Sequence, residues 1–421
     1  MSTEPPSFQY PSGHLGHLGP QQLSALQAFK RYCADHGSYQ PGQAGQAGST
    51  DDATLLRFLR ARKFQIEPAY RQFTETEHWR QENRIDEVYE TIDVGEYEET
   101  RRLYPQWTGR RDKRGMPVYL FDVARLDSKA VSAYENAKIL KGIDLDRLQA
   151  PPKSMRLFSL YENLVRFVAP WCTSSSFRPY SETPITQGNN IVDISGMGLK
   201  QFWDLKSHLQ DSSQLATAHY PETLDNIFVI GAPSFFPTIW SWLKKWFDPT
   251  VVSKIHVLAP SDVLRELSKY IDVENIPKKY GGELAFEFGD MPDLDLKLLE
   301  RFEWAGDVRR PAVADGSKLP NAGSAGSSGS EMIGQPVSTD QGERFQKATS
   351  ESASSRRLPI GPIRWEQGDD GSMVAVAVGS VGGTRRREVV GVLKRGYREV
   401  FFPRDGVEEP TAGNPGPKNM I

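Results

Sequence analysis

The chain has 421 residues, a length that suggests one large globular domain plus further material. Its formal net charge is −3, so bulk charge gives no reason to expect a nucleic-acid partner, and an anion must be met by a local basic cluster. Two cysteines, Cys33 and Cys172, are too few for a disulfide framework and fit a reducing compartment. No uninterrupted apolar run approaches the ~18 residues of a bilayer-spanning helix, so any membrane contact is expected to be peripheral.

Residues 1–19 are polar, rich in Pro, Gly and His, and read as a flexible tail without the basic-then-apolar order of a signal peptide. Residues 20–104 read as helical. Within 21–34, Leu23, Leu26, Phe29 and Tyr32 recur at helical spacing. The loop GQAGQAGS follows, then TDDATLLRFLRARKF, where acidic residues open a helix and basic ones close it, complementing its dipole. EPAYRQFTETEHWRQEN is a further amphipathic helix with Pro68 in its first turn.

Residues 105–300 alternate in character. The stretches 116–123, 189–194, 225–232 and 253–259 are short, apolar and β-branched, and 153–171 and 198–220 between them read as helices. That alternation predicts an α/β domain with a largely parallel or mixed sheet. Residues 234–247, SFFPTIWSWLKKWF, are unusual. At about 100° per residue, Phe235, Phe236, Ile239, Trp240, Trp242, Leu243, Trp246 and Phe247 fill one broad arc. Each aromatic can bury about 150–250 Å², so this arc must face a core, a greasy ligand or a membrane.

From 301 to 421 the pattern is lost. KLPNAGSAGSSGSEMIGQPVSTDQGE cannot bury enough surface to fold. MVAVAVGSVGG and REVVGVLKRGYREVFF are expected to form weak strands in a mostly disordered, low-complexity tail.

The motifs exclude the common catalytic plans. There is no HExxH, no G-x-S-x-G and no GxxxxGK[ST]. Gly196-Met197-Gly198 reads as a strand-to-helix turn, and Cys172, after an apolar helix, as a buried thiol. No nucleophile–base pair and no metal site is visible, so the chain is read as a non-enzyme. Basic residues cluster at Arg60, Arg62 and Lys63, at Arg110, Arg111, Lys113 and Arg114 in a turn before the first strand, and at Lys254. Each cluster is either a solvated surface or an anion site.

TLLRFLRARKF, NNIVDISGMG, AHYPETLDNIFVIGAPSFFPTIWSWLKKWFDPTVVSKI and NIPKKYGGEL stand in an order that resembles the CRAL-TRIO lipid-binding family, in its fungal phosphatidylinositol/phosphatidylcholine transfer branch, over residues 20–290. The resemblance implies a helical N-terminal lobe over 20–104 and a lipid-binding α/β lobe over 105–300. In the latter a mixed sheet floors an apolar pocket beside a gate helix formed by Phe235, Phe236, Ile239, Trp240, Leu243 and Phe247. It implies that Arg62, Lys63, Glu222 and Lys254 bind a lipid headgroup, and that Tyr119, Tyr161 and Asn190 line the pocket. Val251 stands where the family has a threonine, and Gly188 and Asn190 where it has a Ser/Thr pair. The implied activity is exchange of phosphatidylinositol and a second hydrophobic lipid between membranes in support of phosphoinositide metabolism. The implied setting is a cytoplasmic monomer with no resident cofactor, held transiently at Golgi, ER or endosomal surfaces. The alternative is a lipid-sensing adaptor that recruits partners through its tail.

Overall fold

A computed structural model describes residues 12–42, 48–126, 128–136, 149–175, 178–244, 249–306, 357–368 and 371–393. The N-terminal lobe is built of α1 (Pro20–Asp35), α2 (Asp52–Ala61), α3 (Ile66–Glu82), α4 (Ile85–Thr91) and α5 (Val94–Arg101). Asp51 caps α2 by accepting from the Thr54 amide at 2.8 Å, and Asp93 caps α5 through the Gly95 and Glu96 amides. Leu26, Phe29, Leu55, Leu56, Leu59 and Phe73 make the buried seam between α1, α2 and α3. This is the face that the helical spacing predicts.

The central sheet has five strands in the order β1 (Gln106–Arg111), β2 (Pro117–Asp122), β3 (Gly188–Asp193), β4 (Leu224–Ile230) and β5 (Ile255–Leu258). β1 runs antiparallel to β2 and the rest are parallel. The helices between them are α6 (Ser128–Glu135), α7 (Pro152–Asn163), a π-helical turn (Leu164–Val168), α8 (Ala169–Thr173), α9 (Leu199–His219), α10 (Phe236–Leu243) and α11 (Pro249–Ser253).

The two faces of this sheet differ. Val118, Leu120, Ile191, Phe228, Ile230 and Leu258 project to one side, where α12 (Val263–Tyr270) and the 271–286 segment bury them completely. On the other side, register aligns two rows: Tyr119, Asn190, Ile227, Ile255, and Phe121, Val192, Val229, Val257. α7, α9 and α10 cover these rows only in part. Ile227, Ile255 and Val192 are half-buried and Val257 is 46% exposed. A parallel sheet ordinarily buries both faces, so this floor is left open toward β5.

Two expectations are corrected. The basic run 110–114 is a turn only in part: Lys113 and Arg114 stand in the turn between β1 and β2. Arg110 and Arg111 lie in β1, which the sequence reading missed, and pair with Asp293 at 2.6 Å and Asp295 at 3.0 Å; Arg114 pairs with Asp112 and Asp225. These charges knit the fold and are not an anion site. Nor do residues 357–393 belong to a disordered tail. After α13 (Leu296–Leu299), β6 (Phe302–Trp304) joins β7 (Ile363–Gln367), β8 (Met373–Ala377) and β11 (Glu388–Leu393) in an antiparallel sheet ordered β6-β11-β8-β7. A two-stranded ribbon of β9 (Ser380–Val381) and β10 (Thr384–Arg385) links β8 to β11. One face of this sheet buries Ile363, Met373, Ala375, Ala377, Val390 and Leu393 against Leu164, Phe167, Val168 and Trp171. The Trp365 indole donates to the Phe167 carbonyl at 3.0 Å.

Candidate functional site

Two hollows meet at the start of β4. The first lies between the end of α2, the end of α9 and α11, and Arg62, Glu222, Val251 and Lys254 all line it. The Lys254 ammonium donates to Glu222 Oε2 at 3.0 Å and to the Leu224 carbonyl at 2.8 Å. Arg60 approaches Glu222 at 3.9 Å, and the buried Arg57 donates to the Pro221 carbonyl at 3.0 Å. Burial lowers the pKa of Arg57, against the pull of Asp51 and Glu162. Arg62 is half-buried and Lys63 exposed, and neither makes an ion pair or side-chain hydrogen bond among the described residues.

The backbone is strained at the same place. Lys63, Phe64 and Glu222 hold φ of 52°, 59° and 57°, a left-handed conformation that costs a non-glycine residue on the order of 1–3 kcal/mol. The turn that bears Glu222 is fixed from below. The Tyr220 hydroxyl donates to Glu162, which also takes two hydrogen bonds from Arg80, at 2.6 and 3.1 Å. Burial alone would raise the Glu162 carboxyl, but the hydrogen bond and charge of Arg80, with Arg166 and Tyr220, outweigh it and lower the pKa to about 2.

The second hollow lies over the sheet. Tyr119, Tyr161 and Asn190 line it together, with Leu157, Leu160, Leu164 and Gly188. Thr223 and Leu224 line both hollows, so the charged pocket adjoins the apolar one. The side chains of Tyr119, Tyr161 and Asn190 make no hydrogen bond among the described residues. Burial raises the Tyr161 phenol to about 12 and pushes Tyr119 up as well. The cavity volume is about 90 Å³, below the ~150 Å³ that holds a benzene in an engineered core.

α10 packs beside this hollow, on the same face of the sheet. Phe236 and Ile239 are buried against the floor, and Phe235 and Trp240 are half-buried. Phe236 and Trp240 stack at 5.9 Å. Leu243 ends the helix; Phe247, the remaining member of the expected gate, lies outside the described residues.

Sequence reasoning missed Arg57, Gln72 and Thr223, which shape the charged pocket or the turn beside it. Gln72 bridges from α3 to the Thr217 and Ala218 carbonyls at 3.0 and 2.9 Å. Their signal is contact between lobes, which local pattern does not carry. PKKYGG, by contrast, is structural. Lys279 reaches Asp122 and Asp193 at 2.6 and 2.7 Å, and the Tyr280 hydroxyl donates to Asp193 at 2.8 Å. A Cβ on Gly282 would stand 2.1 Å from the Ile276 carbonyl, so only glycine fits there.

The chain is similar to known proteins over much of its length. The profile of the CRAL/TRIO domain matches residues 101–282, and that of the CRAL/TRIO N-terminal domain residues 25–75. The SEC14 cytosolic factor of Yarrowia lipolytica is 33% identical over 66% of this chain, which spans 51% of that protein's length. The cytosolic factor of the same name from Schizosaccharomyces pombe is 30% identical over 65% of this chain and 86% of its own length. A phosphatidylinositol/phosphatidylcholine transfer protein of Arabidopsis thaliana is 31% identical over 54% of this chain and 38% of its own length. Among solved structures, the crystal structure of Sfh5 aligns with a TM-score of 0.45 and 15% identity over 66% of this chain and 94% of its own. With both profiles matched in order, and a 30% identical relative covered over 86% of its length, the chain belongs to the CRAL/TRIO family.

Proposed function

We propose that the protein exchanges lipids between membranes, taking phosphatidylinositol as one cargo and a second, hydrophobic lipid as the other. The observation that carries this reading is the junction at Thr223–Leu224, where a pocket holding Arg62 and Lys254 adjoins an apolar hollow on an incompletely covered sheet. An amphiphile with an anionic head needs both halves side by side. The names of the relatives, cytosolic factors and a phosphatidylinositol/phosphatidylcholine transfer protein, support the same class of cargo.

Transfer needs no bond chemistry. Each methylene leaving water gains about 0.8 kcal/mol, but a lipid in a bilayer already has that energy. The hollow therefore has only to match the bilayer, and selection falls on the head. An unpaired phosphate inside the protein would be costly, so Arg62, Lys63 and Lys254 select for charge. Lys254 is held by Glu222 until the head arrives, which keeps the empty pocket from carrying an unpaired ammonium. α10 opens at a membrane surface, where the interface accepts Trp240, one lipid leaves and another enters. The protein acts as a monomer in the cytoplasm, bound peripherally and transiently to membranes.

Lys254→Ala removes a charge-assisted contact worth roughly 1.5–3 kcal/mol to a bound phosphate. Phosphatidylinositol transfer between labelled vesicles is expected to fall about 10- to 100-fold, with the melting temperature nearly unchanged because the Lys254–Glu222 pair is partly exposed. Undiminished transfer by a folded variant would remove the headgroup assignment. Binding without transfer by the wild type would make the protein a lipid sensor instead.

A further inference from the structure

A third hollow lies beyond Tyr119. Its walls come from α5, the start of β1, α7 with its π turn, residues 291–292 and the 358–363 segment that leads into β7. Pro105, Tyr119 and Leu160 line this hollow and the apolar one alike, so the two adjoin. The 358–363 wall stands outside the residues that match the family profiles.

Its polar groups are few and incompletely satisfied. Tyr97, on α5, is 4% exposed, and its phenol makes no hydrogen bond among the described residues. The oxygen is not among the atoms that protein seals off completely. The Tyr119 phenol is likewise unbonded. Gln106 is 1% exposed; its Oε1 accepts from Arg101 at 3.2 Å and from the Gly289 amide at 2.7 Å, which leaves Nε2 as a buried donor with no acceptor. Native proteins rarely leave such groups unpaired without a reason. The charges here cancel, since Arg101 grips both oxygens of Glu98 at 2.8 Å. Hydroxyl and amide donors in an apolar, charge-neutral recess recognise a neutral oxygen, not a phosphate. The cavity volume is about 70 Å³, enough for the tip of one chain and far too little for a second phospholipid.

We propose that this hollow is the far end of the ligand cavity, a separate subsite under the C-terminal sheet that takes the uncharged oxygen, hydroxyl or carbonyl, of a single-chain amphiphile. It rests on the lipid-binding reading above and gives the second cargo a chemistry: neutral and oxygen-tipped.

The full chain is incubated with phosphatidylcholine vesicles that contain either 1-hexadecanol or hexadecane, re-isolated, and the retained probe is measured by mass spectrometry. The wild type is expected to retain the alcohol well above the hydrocarbon. Tyr97→Phe should lower retention of the alcohol about 5- to 10-fold, the worth of one buried hydrogen bond, and leave the hydrocarbon and phosphatidylinositol transfer unchanged. Because the phenol bonds to nothing among the described residues, the variant's melting temperature should not fall. Equal retention of the alcohol by variant and wild type, or of both probes by the wild type, overturns the subsite while intact phosphatidylinositol transfer leaves the general reading standing. A lowered melting temperature overturns it too, by showing that the phenol serves the fold. If the wild type takes up neither probe nor phosphatidylinositol, both readings fall.

Discussion

Glu162 shows how single residues hold the turn at Glu222 in place. It receives Arg80 from the N-terminal lobe, Arg166 from the π turn and Tyr220 from the residue before Pro221-Glu222. Its carboxyl falls from 4.5 to about 2 on folding. A depressed carboxylate stabilises the fold above its unfolded value and loses that contribution as pH falls toward the folded one. Stability measured by urea unfolding should therefore decline by on the order of 3 kcal/mol between about pH 5 and pH 2 through this group. Glu162→Gln should flatten that acid limb and weaken the protein at pH 7, because Arg80 and Arg166 lose their shared anion. An unaltered acid limb in the variant would show that the network does not fix the turn. The charged pair Lys254–Glu222 was legible in the sequence because YPE and SKI are short motifs. Glu162 was not, since it is one acidic residue in an amphipathic helix and its partners come from 82 and 58 residues away.

At the scale of elements, the aromatic helix was legible and its role was not. Composition required Phe236, Ile239 and Trp240 to be covered. The structure adds that they lie over a sheet face whose β5 side remains open. Trp240 is half-buried on α10, which makes it the residue that tests a gating role. Trp240→Asp is expected to slow lipid exchange at least about tenfold by barring the helix from the interface, with native circular dichroism retained. If the variant unfolds, α10 is core and the gating step loses its support. β1 escaped the sequence reading because QWTGRR carries four polar or charged side chains and a glycine. Its strand conformation is stabilised by the β2 ladder and by Asp293 and Asp295, far along the chain.

Across the whole molecule, the C-terminal sheet is the largest addition to what the sequence foretold. Ala375 and Ala377 are completely buried against the Phe167–Trp171 side of the α7–α8 segment. The Tyr89 hydroxyl donates to the Ile363 carbonyl at 2.6 Å, tying the N-terminal lobe to the same sheet. An overpacked core costs typically about 1–3 kcal/mol. Ala375→Leu should accordingly lower the midpoint of a single urea transition that reports on the whole chain. A transition of the lipid-binding lobe that is indifferent to this change would show that the sheet folds independently of it.

The sequence by itself determined the amphipathic helices, four of the five central strands, the aromatic face and the short motifs that place Arg62, Glu222 and Lys254, because each is written in local spacing. The tertiary structure alone decided that the charged pocket adjoins the apolar hollow, that residues 110–114 serve the fold, and that weak strands near the C-terminus become a wall. Those outcomes depend on pairings between residues far apart in the chain. The free energy of such pairings comes from burial and from partners that no local window contains.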